Sequence, residues 1–405
     1  DFDYDDSLNA GDFAPPNRVP AGECLDGFIY VGPRNAGNNI IGSGDDYPYQ
    51  SIMQAAYLAA QSPDDDCVIV LPGEYSTPLY LSGFSQAVGI YGYRGVTLTG
   101  GIKPTTLVVQ NRFWGDTILV NANRSAGVYV LEGTNTTIGG VNFHAGQVYA
   151  DSDFYRAQIL AVDNADNFTL TRAEVSGITT NQTLIEIFGG SQGAEISEST
   201  FADNTGSAGA SLIAVYNSGG SAASDRVTIR SNLFENNTFN EGDWLASLSS
   251  PSITINWVPM IRSLDSYVDI ISNTMRSNEA ETLLQGVTTA RVSAHQFRVL
   301  GNVIVNSTVS SNDGFTPGPL IHGFFQAYMV IINNTIAETD FVGSGPPYNT
   351  LIARGDDVDA NGNISCDDCG SLSEVDARIE LRGNLIMNNQ SAELIREMDV
   401  NFSSG

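Results

Sequence analysis

The chain has 405 residues, 46 acidic against 18 basic side chains and a formal charge of −28. That balance repels phosphate-rich partners and so excludes nucleic acid and anionic membrane surfaces as natural ligands. No stretch reaches the apolar length of a membrane span, and Lys103 is the only lysine, which leaves lysine-based catalysis a single candidate.

Residues 1–26 form the first segment. "DFDYDDSLNAGDFAPPNRVPAGE" mixes Asp, Gly and Pro without periodicity and reads as an extended arm. The chain starts at Asp1 rather than Met, as expected if a signal peptide has been removed or if this is a processed fragment. Residues 27–405 read as one domain. Within it, a helix is predicted near 50–61: "YQSIMQAAYLAAQ" puts Ile52, Ala55, Ala56 and Ala59 on one face, and "SPDDD" stops it. The strand "VIVLPGEY" follows at once. A helix ahead of the first strands has the physical task of covering unpaired backbone at the open end of a stack.

From there on the chain repeats. "RVTIRSNLFENN" (226) has apolar residues at its second, fourth and ninth places and Asn at its seventh. The same frame fits "NFTLTRAEVSGI" (167), "GAEISESTFADN" (193), "YVDIISNTMRSN" (267), "QFRVLGNVIVNS" (296), "YMVIINNTIAET" (328) and "RIELRGNLIMNN" (378), with a weaker copy at 135. The seventh place is Val141, Ala173, Ser199, Asn232, Asn273, Asn302, Asn334 and Asn384, at intervals of 32, 26, 33, 41, 29, 32 and 50 residues. A second short pattern separates the frames, in "ILAV" (159), "LIEI" (184), "LIAV" (212), "PMIRS" (259), "LLQG" (283), "LIHG" (320) and "LIAR" (351), ending with "LIRE" (394). Each period therefore holds at least two short strands. Strands this short bury their apolar face only by stacking on the next repeat. The unequal intervals imply loops of varying length on a constant rung.

The order "IYV…PYQSIMQAAYLAA…VIVLPGEY…LYL…VGIYGY…TLTG", followed by these rungs, resembles the opening segment and coils of secreted right-handed parallel β-helix proteins of the pectate-lyase-like superfamily. The resemblance implies an all-β solenoid of about nine or ten coils. At strand spacing this makes a rod of about 45 Å. It implies that Val227 and Ile229 point inward and that Asn232 and its counterparts sit at a bend, where stacked amides bond along the axis as in the Asn ladders of cross-β stacks. It does not select an activity, because the superfamily holds lyases, hydrolases, esterases, adhesins and structural proteins.

In the related lyases and hydrolases the substrate groove lies on the outward face of the second short strand. Alternation sends Ala161, Glu186, Ala214, Arg262, Gln285, His322, Ala353 and Arg396 outward there. Arg262 and His322 then lie two coils apart, with Glu186 further along. A lyase acting beside a uronate needs a base and cations for the carboxylate, and Arg262 is the candidate base. The preceding stripe, Leu184, Leu212, Met260, Leu283, Leu320, Leu351 and Leu394, is expected to turn inward at a bend. Left outside, it would need a loop, the arm or another subunit to cover it. Trp244 and Trp257 read as padding of this flank.

"DVDANGNISCDD" (357–368) fits a calcium loop, with oxygen ligands from Asp357, Asp359, Asn361, Asn363 (backbone), Ser365 and Asp368 and a turn at Gly362. It is similar to EF-hand and dockerin-type loops but ends in Asp rather than Glu, and it falls in an insertion near 355–377, inside the longest interval. Structural Ca2+ is the expected cofactor. The even cysteine set suggests two disulfides, Cys24 to Cys67 and Cys366 to Cys369, over free thiols. Ten N-glycosylation patterns occur, at Asn123, Asn135, Asn167, Asn181, Asn236, Asn306, Asn333, Asn363, Asn389 and Asn401. The sequence reading is a secreted, extracellular structural or adhesive β-helix, partnered with itself or other extracellular proteins. The alternatives are a polysaccharide lyase on an acidic polymer and a non-catalytic carbohydrate-binding rod.

Overall fold

The structure is a computed structural model. It describes residues 155–207, 210–240, 258–288, 296–310, 318–325, 328–342, 350–354, 379–390 and 393–397, and before residue 155 the segments 29–31, 52–59, 61, 67–70, 73–75, 79–82, 88–92, 96–98, 123–131, 136–140, 142–144 and 147–148. Every pairing among its strands is parallel, each strand bonding its counterparts one coil before and one coil after. One coil runs through Val227–Arg230, Leu233–Glu235, Thr238–Phe239 and Pro259–Leu264. Repetition builds four sheets, called here first, second, short and third, of 11, 10, 7 and 10 strands. This is the right-handed parallel β-helix that the sequence implied, with four strands per coil rather than the minimum of two.

The twelve-residue frame maps onto this coil place by place. The second and fourth places, such as Val227 and Ile229, and the ninth, such as Phe234, are buried in a core that runs along the axis, except in the last frame, where Ile379, Leu381 and Ile386 are partly buried. Between them, the sixth and eleventh places take the left-handed backbone conformation. The sixth-place column includes Arg172, Glu198, Ser231, Ser272 and Asn333; the eleventh-place column includes Asp203, Asn236, Ser277, Asn306 and Asn388. A β-branched residue is disfavoured there, whereas Asn, Asp and Gly tolerate it, which is why short polar residues punctuate the frame. Each left-handed residue turns the chain from one sheet to the next.

Core volume is shared across the coil. At Gly286 an added Cβ would lie 2.8 Å from Cγ of Phe297, and at Gly323 it would lie 2.6 Å from Sδ of Met329. The third sheet thus gives up side chains where the first sheet supplies large ones. Phe201 and Phe234 stack inside, with ring centroids 4.9 Å apart.

At the N-terminal end the helix Ile52–Ala59 packs on Ile29–Val31, Cys67–Val70, Leu79–Ser82 and Val88–Gly92. Ile52, Ala55, Ala56 and Ala59 are its buried face and Tyr57 is exposed, as the 3.6-residue period requires. The arm 1–26 lies outside the described residues, as do Trp244 and Trp257.

Candidate functional site

Asparagine ladders hold the coils in register. Asn232, Asn273, Asn302 and Asn334 each donate from Nδ2 to Oδ1 of the next asparagine, ending on Asn384, all at 3.0 Å. The same Oδ1 atoms accept the backbone N–H of the preceding coil's asparagine, and the second Nδ2 hydrogen goes to a strand carbonyl, such as Ile196 O for Asn232. The ladder the resemblance implied is thus present. A second one, through Asn204, Asn237 and Asn278 at 2.9 Å, was not foreseen. Its signal was available, because these residues occupy the twelfth place of the frame.

On the third sheet, the row chosen by alternation is aligned across consecutive coils. Ala161 pairs with Glu186, Glu186 with Ala214, Ala214 with Arg262, Arg262 with Gln285, Gln285 with His322, His322 with Ala353 and Ala353 with Arg396. Arg262 and His322 lie two coils apart, as expected. Their expected exposure is corrected: Arg262 and Gln285 are 0% exposed, His322 1% and Glu186 4%. Alternation fixes the direction in which a side chain points and is silent on what covers that face. The leucine stripe is inward: Leu184, Leu212, Met260, Leu283, Leu320 and Leu351 all belong to the core.

Contacts within the row are polar. Gln285 Nε2 lies 3.2 Å from His322 Nδ1, and Gln285 Oε1 accepts no hydrogen bond from the described residues. Burial lowers the pKa of the Arg262 guanidinium from its ordinary value, opposed by neighbouring Tyr216 and then by the charge of Glu186. Tyr216 is a diagonal neighbour of Arg262, two residues beyond Ala214 on the adjoining strand. The residue between the two charges in the row is Ala214. Asp163, 6% exposed, lies two residues along from Ala161 on the coil before Glu186. Tyr216 and Asp163 were absent from the sequence expectation, which sampled one row only.

A second buried ionic group lies on the first sheet. Asp269 is bonded by Arg226 Nε and by Arg298 through both Nε and Nη2, and the Arg226 guanidinium lies 5.5 Å from the centroid of the Tyr267 ring. Burial lowers the Arg226 pKa and Asp269 counters it, whereas the bond to Asp269 raises that of Arg298. Here the positive charges meet their carboxylate directly.

The calcium loop (Asp357, Asp359, Asn361, Asn363, Ser365, Asp368) lies outside the described residues. Among those described, no group of three or more His, Cys, Asp or Glu is placed to hold a metal. Cys24, Cys366 and Cys369 also lie outside, and Cys67 opens the strand Cys67–Val70. Of the glycosylation patterns, Asn167, Asn236, Asn306 and Asn333 are exposed at left-handed turns. Asn181 and Asn389 are half-buried, Asn123 begins a strand, and Asn135, Asn363 and Asn401 lie outside the described residues.

No family model matches the chain, and no curated protein does. Among solved structures it is similar to the pectate lyase Pel9A, at 15% identity and TM-score 0.43, over 92% of this chain and 78% of the other. The alginate lyase of Paenibacillus sp. str. FPU-7 aligns at 12% identity and TM-score 0.39, over 85% of this chain and 95% of its own. A pectin methylesterase from Aspergillus niger, in deglycosylated form, aligns at 10% identity and TM-score 0.35, over 97% and 94%. Likeness at this level adds no activity or substrate; the parallel β-helix rests on the strand pairings themselves.

Proposed function

We propose that this protein is an extracellular β-helix that recognises an acidic polysaccharide along the outward row of its third sheet. The observation that carries the reading is the buried polar row itself. Burying Arg, Glu, Gln and His on a sheet face is costly, and apolar residues of similar volume would cover that face more stably. Retaining them is the pattern of a functional site. From Glu186 to His322 the row crosses four strand spacings, about 19 Å, a length suited to an extended polymer. Arg262 supplies the cation for a uronate carboxylate, and Gln285 Oε1 is an acceptor for a sugar hydroxyl. With the row closed to solvent, ligand entry requires this face to open. The inward leucine stripe removes one motive for a self-assembling filament.

Charge works against long-range approach. A chain at −28 repels a polyuronate until counterions screen it, and screening acts over about 8 Å at physiological salt. Binding is therefore expected to tighten on adding calcium or moderate salt, the reverse of a basic lectin. The loop at 357–368 is the candidate calcium site within the same reading. The test is calorimetric titration with polygalacturonate, alginate and a neutral glucan, alongside ultraviolet detection of unsaturated product. Acid-selective binding lost in Arg262→Met supports recognition. Product lost in the same variant adds β-elimination to it. No binding to either acidic polymer by the wild-type protein, with calcium present, overturns the proposal. Calcium-dependent filaments under the electron microscope would then favour the structural reading.

A further inference from the structure

The outer face of the second sheet changes character along the rod. Its rows run Leu233, Thr274, Val303, Thr335, Leu385 and Glu235, Arg276, Val305, Ala337, Met387, each residue opposite the next. In the earlier coils this face is polar, with Arg276 paired to Glu235 at 2.8 Å. In the last coils it turns apolar: Val303 is 38% exposed, Leu385 50% and Met387 43%. Apolar side chains grouped in this way call for a partner or a cover.

Glycosylation patterns lie on both borders of this face. Asn236 and Asn306 lie in the left-handed column that ends the second-sheet strands, immediately after Glu235 and Val305. Asn333 lies in the column that begins them, two residues before Thr335. All three are exposed, and each precedes a buried residue, Asn237, Ser307 or Asn334, and then a strand threonine. Among the other left-handed asparagines, Asn167 carries the pattern, and Asn164, Asn217 and Asn388 lack it. The strip is spanned by strands of three residues, about 10 Å, a width one branched oligosaccharide covers from either border.

We infer that N-linked glycans on Asn306 and Asn333 cover the apolar strip of the second sheet; Asn236 lies beside the polar part of the same face and donates from Nδ2 to Asp203 Oδ1 at 3.3 Å. In the reaction, a host transferase joins Nδ2 to the anomeric carbon of a polyprenyl-diphosphate oligosaccharide. The anomeric C–O bond to diphosphate breaks, and the Nδ2 proton leaves with the polyprenyl diphosphate. Asn389 is the internal contrast. Its Nδ2 donates to Ile336 O at 3.1 Å and its Oδ1 accepts from Thr339 N at 2.9 Å, so a glycan there competes with coil stacking.

The test uses the full chain secreted from a eukaryotic host, with glycopeptide mass spectrometry and hydrophobic-dye binding. Occupied Asn306 and Asn333 with empty Asn389 is the expected pattern. Thr308→Ala and Thr335→Ala together abolish the two sites while leaving the turn asparagines in place and adding no larger apolar side chain to the strip. That variant should bind several-fold more dye and self-associate, and enzymatic deglycosylation of the wild-type protein should do the same if the variant is not secreted. Empty sites in the secreted protein, or unchanged dye binding after glycan removal, would overturn the inference. Polysaccharide titration is unaffected by either result.

Discussion

Replacing Asn273 by alanine removes the centre of the longer ladder. Four hydrogen bonds go with the side chain: two accepted from Asn232 N and Nδ2, and two donated to Ile229 O and Asn302 Oδ1. The site is 1% exposed and Asn232 is 2% exposed, so water does not take over these groups. At about 1 kcal/mol net per bond, with a buried N–H and a buried carbonyl left unpaired, the loss is about 4 kcal/mol. Asn384→Ala provides the scale. It loses three such bonds at a half-buried coil where water substitutes, so about 1 kcal/mol is expected. Urea unfolding gives the two differences, and hydrogen exchange locates them. The Asn232 amide should exchange about 1,000-fold faster in Asn273→Ala, since 1.4 kcal/mol corresponds to a factor of ten. If Asn273→Ala costs no more than Asn384→Ala, ladder bonds do not hold the coils and the reasoning fails.

Asp269→Ala leaves the guanidinium groups of Arg226 and Arg298 facing each other without their carboxylate, and should cost about 3–5 kcal/mol in urea unfolding. On the third sheet, Arg262→Met strands Glu186 and should destabilise, whereas adding Glu186→Gln recovers part of the loss. A double-mutant cycle on thermal unfolding should show coupling of at least about 1 kcal/mol, and additive effects would mean that the two charges do not interact across Ala214. Gly286→Ala drives its Cβ against Phe297 and should cost about 1–3 kcal/mol, with Phe297→Leu relieving it. Removal of calcium by chelation should lower the unfolding temperature of the wild-type chain and leave Asp359→Ala unchanged; equal responses would remove the loop from consideration.

The coil was legible because its apolar places recur at fixed separation from a turn residue, as Val227, Ile229 and Phe234 do around Ser231 and Asn232. Alternation also found the third-sheet row in correct register. It failed on exposure, since no local pattern around Arg262 or His322 records what packs over a sheet from far along the chain. The second ladder went unread for a different reason. Asn237 and Asn278 end a frame in the sequence pattern, whereas each begins the next bend in the coil. Tyr216 joins the site as a diagonal neighbour of Arg262 on the adjacent coil, a relation that a single row of outward places does not contain.

Both ladders run in one direction. In every rung the carbonyl of the amide faces the preceding coil and an N–H faces the following one, from Asn232 through Asn334 and from Asn204 through Asn237. The backbone bonds do not share this bias: Val227 N donates forward to Tyr267 O while Thr228 N donates back to Ala194 O. The side-chain amides therefore give the rod a net electric polarity along its axis, which the sheets alone would cancel, with each dipole polarising the next. Its positive end lies toward the last coils, so the two ends of this acidic rod are electrostatically unlike, and an anion approaching along the axis meets a favourable pole at only one of them.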